Sequence, residues 1–205
     1  MLRLYCIPYS TNVERVALAL GHKRLDVETV AVDPADRSPL RELSGQELVP
    51  VLVDDGAVVS DSVRIMRHLD ERFPDPPLFP AELAMRATVD IFLDWFNRTW
   101  KREPNLITDA LEAGTTTGAD IERWGARMQS RLELFEGLLD RREYLLGDFG
   151  AADCAAWPFL RYALTPVAAD DVEVFHEVLY ERMTLDRRHR RLRAWIDRVG
   201  ERPCA

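Results

Sequence analysis

A chain of 205 residues, 47% hydrophobic and 30% charged, is long enough for one large or two small units with a real core, which excludes a disordered or fibrous protein. Lys+Arg 27 against Asp+Glu 35 leave a formal charge of -8, so broad binding along a phosphate backbone is not expected. Cys6, Cys154 and Cys204 are far apart, with no CxxC and no clustered histidine, and no apolar run reaches membrane-spanning length; no disulfide framework, metal site or membrane span is expected, and a reducing cytoplasm fits best.

Leu2 to Cys6 reads as a buried strand stopped at Ile7-Pro8. Ser10-Thr11-Asn12 offers cap residues for a helix carrying Val13, Val16, Ala17 and Leu20, with Gly21 as its stop. Val27 to Val32 alternates as a second strand, and a short helix follows. Val49 to Val53, Asp54-Asp55-Gly56 and Ala57 to Val59 spell a hairpin. Ser60-Asp61-Ser62 then caps a helix that turns Val63, Ile65, Met66 and Leu69 inward and ends at Pro74. One parallel crossover followed by an antiparallel pair predicts a small mixed sheet.

The proline-dense stretch from Asp75 to Pro80 is the natural linker. Beyond it the strands stop, and the periodicity predicts amphipathic helices over 81–100 and 121–139 with a flexible turn across 114–118. Residues 151–164 are apolar nearly all round, which predicts a buried central helix kinked at Pro158. Stretches 172–182 and 190–199 complete a helical bundle. The predicted organisation is a mixed α/β unit over 1–75, a linker over 76–80 and an all-helical remainder over 81–205.

Three local features can carry chemistry, and each has a plain structural alternative. Ser10 sits where a helix start stabilises a developing anion, yet serine there also serves simply as an N-cap. A cis Val49-Pro50 bond would leave the backbone of Val49 free for an extended ligand, whereas a trans bond is an ordinary strand entry. Asp61 could receive an ammonium and Ser62 a carboxylate, or the pair could do no more than cap their helix.

Taken together, Tyr5-x-x-Pro8-x-Ser10-x-Asn12-x-x-Arg15-Val16, Val49-Pro50-Val51-Leu52 and Asp61-Ser62-x-x-Ile65-x-x-x-Leu69 resemble the glutathione transferase family, in the serine-type form of its bacterial and phi-, theta- or zeta-like members. Leu145-Leu146-Gly147-Asp148 with Ala151-Ala152-Asp153, and Trp195-x-x-Arg198-Val199-x-x-Arg202-Pro203, resemble that family's helical half, so the likeness spans nearly the whole chain. The resemblance implies a thioredoxin-like first domain with Val49-Pro50 cis, followed by the helical bundle. It implies glutathione as co-substrate, with Ser10 donating to its thiolate, Val49 and Pro50 holding its cysteinyl part, and Asp61 and Ser62 holding its γ-glutamyl end. Thr11 is the spare hydroxyl. A small hydrophobic electrophile would lie against the helical half, where Trp95, Phe96, Trp100 and Arg102 are available, although each such residue is more often core than pocket. A homodimer is implied, with apolar surface from the Ile65-Met66-Leu69 helix and the Ile91-Trp95 helix.

Two departures from the family pattern stand out. Gly150 replaces the Ser or Thr of the bundle's capping box, and Leu48 replaces a basic residue before Val49-Pro50, leaving Arg41 or Gln46 to meet the glycine carboxylate of glutathione. A non-catalytic dimerising or protein-binding module is the competing reading, because fold does not fix function. A thioltransferase is the remote one, since Ser10 to Val13 has lost both positions of a redox CxxC and Cys6 lies in the strand.

Overall fold

In the computed structural model the described residues are 1–114 and 117–205, so the turn expected across 114–118 lies partly outside them. The chain begins with β1 (Leu2–Cys6), α1 (Thr11–Lys23), β2 (Val27–Ala31), α2 (Ser38–Ser44), β3 (Val51–Asp54), β4 (Ala57–Ser60) and α3 (Ser62–Arg72). β1 pairs in parallel with β2 and antiparallel with β3, and β3 pairs antiparallel with β4, giving a mixed four-stranded sheet in the order β2-β1-β3-β4. Strand alternation decides which face each residue joins. Leu2, Leu4 and Leu52 pack with Val16, Leu20, Ile65 and Leu69 of α1 and α3, while Ile7 and Val51 pack on the other side with Leu40 of α2.

The helical half holds α4 (Leu83–Trp95), a π-helical turn (Phe96–Trp100), α5 (Arg102–Ala113), α6 (Gly118–Ser130), α7 (Leu132–Leu138), α8 (Ala151–Leu160), a 3-10 turn (Arg161–Ala163), α9 (Val174–Arg182) and α10 (Arg190–Gly200). α8 is the central helix expected, with every residue but Trp157 buried and Pro158 inside it. It packs along α1, so sheet and bundle share one core.

Four expectations are corrected. The helix expected over 81–100 changes pitch at Phe96, and α5, unforeseen in the sequence, follows at once; Pro104 falls in its first turn, where a missing N–H costs nothing. The helix expected over 121–139 breaks at Arg131, whose guanidinium holds the buried Glu103 and the Thr99 carbonyl. Gly21 does not stop α1, which runs to Lys23 and ends at left-handed Arg24. Instead Gly21 admits the Pro203 carbonyl, which a Cβ would meet at 2.0 Å. Lastly, Ile65, Met66 and Leu69 are fully buried against α1 and the bundle, so they offer no surface to a second copy; Ile91, 70% exposed, does.

Candidate functional site

The junction of β1 and α1 is a tight corner. Tyr9 takes a positive φ of 62°, Ser10 is extended, and its Oγ accepts from the Val13 amide at 3.4 Å, so Ser10 caps α1 through a long bond. Thr11, the first residue of the helix, is buried. Cys6, the last residue of β1, is half-buried, and burial pushes its thiol up.

Opposite this corner the Val49–Pro50 bond is cis. Val49 lies outside the β3 ladder, and among the described residues its N–H and C=O have no backbone partner. Asp61 begins α3 with a φ of 76°, and its Oδ1 accepts from the amides of Val63 and Arg64, both at 3.0 Å. A non-glycine residue held at positive φ at both ends of one cleft marks over-determined backbone. Ser62 follows, 3% exposed, with its hydroxyl accepting from Arg15.

These segments line two adjoining cavities. One, of about 470 Å³, is walled by Val49, Pro50, Asp61, Ser62, Arg15 and Asn97. The other, of about 250 Å³, is walled by Pro8, Ser10, Thr11, Val49, Asn105 and His176. Asn12, Leu48, Val49 and Lys101 border both. The structure therefore brings Ser10, Thr11, Val49, Pro50, Asp61 and Ser62 around one continuous cleft between sheet and bundle. A further cavity of about 290 Å³ lies between the linker and the start of α8, lined by Phe79, Gly150 and Asp153; it holds none of these residues.

Trp95, Phe96, Trp100 and Arg102, available to an acceptor substrate or to the core, line neither cavity. Phe96 and Trp100 stack at 4.6 Å in the core, both 0% exposed, because the π-helical turn rotates them inward. Trp95 packs on Phe92 and Phe135, and Arg102 points to solvent. The bundle instead presents Lys101, Asn105, Phe175 and His176 to the smaller cavity.

Two cations dominate the cleft. Arg15 is buried, donating to the Ala155 carbonyl at 2.9 Å, Asn97 Oδ1 at 2.9 Å and Ser62 Oγ at 3.3 Å, while its Nη2 has no partner among the described residues. Burial pulls its guanidinium down to about 9, so it is still charged at neutral pH. Lys101 makes no hydrogen bond or ion pair among the described residues and lies 4.7 Å from the Phe159 ring centre. Burial, and then the neighbouring Arg15, pull its ammonium down to about 7. Arg15 had appeared in the sequence pattern without a role, and Lys101 had no periodic signal of its own.

Arg41 and Gln46, the two residues considered for the glycine carboxylate, both have partners within the chain, and Gln46 borders the larger cavity. Arg41 pairs with Glu47 on the surface, and the Gln46 amide folds back onto Ser44 and the Leu48 backbone. Arg37, beside Leu48 and Val49, borders the smaller cavity instead.

The capping box of α8 explains its own departure. Asp153 accepts from the Gly150 amide at 3.1 Å, and the Leu78 carbonyl takes the Ala151 amide at 2.8 Å. A Cβ on residue 150 would meet that carbonyl at 2.6 Å, so Ser or Thr does not fit.

Residues 4–77 match the N-terminal domain of glutathione S-transferases and residues 118–198 match their C-terminal domain. Glutathione S-transferase 3 of Zea mays is 32% identical over 181 residues, covering 80% of each chain. The chain belongs to the glutathione S-transferase family. A stringent starvation protein A homolog of Coxiella burnetii is 29% identical across 89% of this chain and 88% of its own. The crystal structure of a glutathione S-transferase from Rhodospirillum rubrum F11 superposes with a TM-score of 0.73 at 30% identity, covering 99% of this chain and 89% of that one. Within this family frame, the sheet half is the thioredoxin-like domain and the bundle the helical C-terminal domain.

Proposed function

We propose that the protein is a glutathione transferase, joining the thiol of glutathione to small hydrophobic electrophiles as a cytoplasmic homodimer. The observation that carries this reading is the convergence of Ser10, the unpaired Val49 backbone, and Asp61 with Ser62 on one cleft. Asp61 receives the γ-glutamyl ammonium, and Ser62, backed by Arg15, receives the neighbouring carboxylate. Val49 pairs with the cysteinyl unit as an added strand. Arg37 takes the glycine carboxylate in place of the basic residue that Leu48 replaces. Arg15, with Lys101 in its protonated form, brings positive charge into the cleft of a chain of net charge -8, which suits the carboxylates of the tripeptide.

The thiol then lies at the start of α1. There the Ser10 hydroxyl donates to the thiolate, and the helix end adds its partial positive charge, so the sulfur is nucleophilic at neutral pH. The electrophile sits against Phe175 on the bundle side, with Asn105 available to a polar end.

The competing reading is a glutathione-transferase-like module without catalysis. It is favoured by the likeness to a stringent starvation protein A homolog over most of both chains, and by the Ser10 hydroxyl already serving as a cap. Retention on immobilised glutathione, followed by turnover with aryl halides, epoxides, isothiocyanates and peroxides, separates the two. Retention with turnover supports the transferase, and no retention rules out glutathione as the ligand.

A further inference from the structure

Ser10 stabilises the thiolate but does not itself receive the thiol proton. A serine hydroxyl can donate to a thiolate, but it is far too weak a base to remove the proton from the thiol. A group on the far wall of the same cavity is built to do so. His176, near the start of α9, is 4% exposed, and its Nδ1–H donates to Asp171 Oδ2 at 2.7 Å. Asp171 is itself fixed, because its Oδ1 accepts from the Glu173 amide at 3.1 Å. The imidazole lies flat on Tyr162, with ring centres 5.0 Å apart and planes 10° off parallel, so it cannot tilt freely. A carboxylate accepts only, so this pairing puts the ring proton on Nδ1 and leaves Nε2 with a lone pair. Nε2 has no partner among the described residues and is not enclosed, and the ring forms part of the cavity wall that faces Ser10, Thr11 and Pro8.

We propose that His176, oriented by Asp171, is the general base that takes the thiol proton of glutathione bound at Ser10. This rests on the glutathione reading above. The S–H bond breaks and the proton moves to Nε2, giving an imidazolium held by the Asp171 carboxylate. The sulfur lone pair forms the new bond to the electrophilic carbon. With a halide the leaving group departs as an anion and the proton passes to solvent. With an epoxide the ring C–O bond breaks, and the alkoxide takes the proton back from Nε2.

The charges around the ring are compatible with this role. Glu14, on α1, is tied to Arg161 by two bonds of 2.7 and 3.1 Å, so its charge is already matched. Tyr162 accepts from Arg161, and burial pushes its phenol up to about 12, so it stays neutral. Asp170 lies beside Tyr9 rather than the ring, Glu173 is exposed at the rim, and Lys101 approaches from the α5 side. Asp171 is thus the one carboxylate in direct contact with the imidazole among the described residues.

The test is the ionisation of bound glutathione, followed by the ultraviolet absorption of the thiolate against pH. His176→Asn is the informative variant, because its amide still donates to Asp171 while the base is gone; His176→Gln is the second, should the first fold poorly. The bound thiol of His176→Asn should titrate about 1 unit or more higher than in the unaltered protein. Its kcat/KM toward a nitroaryl chloride should fall on the order of 10²-fold at neutral pH, with the deficit closing at alkaline pH. Glutathione affinity, read by calorimetry, should change little. Asp171→Asn should move the titration in the same direction, as expected of a positioning residue. An unchanged thiol titration in a variant that still binds glutathione would overturn the role of His176 and leave the transferase reading intact. Failure of the unaltered protein to bind glutathione would overturn both.

Discussion

Arg15 and Ser62 meet at 3.3 Å, Nη1 to Oγ, so the first helix of the sheet domain reaches the first turn of α3 through a buried cation. The same guanidinium reaches the bundle at the Ala155 carbonyl and at Asn97, joining both domains beneath the cleft. Its flat face lies 4.7 Å from the Phe159 ring centre. An isolated buried charge is costly, but here the donors are spent on three acceptors and two aromatic faces, and only the enclosed Nη2 is without a partner among the described residues.

Arg15→Ala should therefore destabilise the protein by about 3 kcal/mol, since two buried acceptors and the half-buried Asn97 lose their donor together. Arg15→Lys should recover only part of that, because an ammonium cannot span the same fork. Denaturant unfolding gives both values, and a loss near zero for Arg15→Ala would show that the buried network is not structural.

Ser10→Ala distinguishes a catalytic hydroxyl from a cap. As catalyst, its loss should lower kcat/KM on the order of 10²-fold, roughly 3 kcal/mol, with little change in glutathione affinity. As cap alone, it should cost about 0.5–1 kcal/mol of stability, toward the low end because the bond to Val13 is 3.4 Å long. Thr11→Ala belongs beside it. Full activity in Ser10→Ala with loss in Thr11→Ala would move the role by one residue.

Gly150→Ser would restore the more common capping-box residue, yet it should destabilise by roughly 2 kcal/mol, because its Cβ runs into the Leu78 carbonyl at 2.6 Å. Thermal unfolding checks this. A stabilised Gly150→Ser would mean the linker yields more easily than its hydrogen bond to Ala151 suggests.

Asp153 gives a pH signature. Burial pushes its carboxyl up to about 6, against the amides of Leu145 and Gly150 and the Trp195 indole, whose hydrogen bonds pull it down. A carboxyl raised in the folded state favours folding while it is protonated in both states. That contribution is lost as pH climbs from the unfolded value of 3.8 through about 6. Asp153→Asn does not titrate, so the stability difference between the unaltered protein and this variant should shrink as pH rises from about 4 to 7. A constant difference across that range would place the Asp153 carboxyl at its ordinary value.

Much of this was legible in the chain because local signals and tertiary demands agreed. The Asp-Gly hairpin, the strand period of Leu2, Leu4 and Leu52, and the cap residues at Ser10 and Asp61 each say the same thing at both levels. The acceptor side was not legible. Helical spacing places Phe96 and Trp100 on one face, but it cannot show that a π-helical turn sends that face into the core. Nor can spacing pair Asp171 with His176 across a helix start, or show Lys101 stranded between two cavities, because those depend on how α5 and α9 meet the sheet domain. Gly21 misled for a related reason: its lack of a side chain serves a distant carbonyl rather than a local turn.

Helix α1 is held along its length, by α3 and the sheet on one side, by α8 on another, and at its far end by Pro203 against Gly21, with the Ala205 amide on the Ala17 carbonyl at 3.2 Å. Backbone amides from Val16 to Leu20 should then exchange with deuterium only when the whole protein unfolds, making this helix the slowest-exchanging segment. Ser10 thus caps a helix pinned along its flanks and at its far end, whereas His176 stands on a helix entered through exposed Val172 and Glu173.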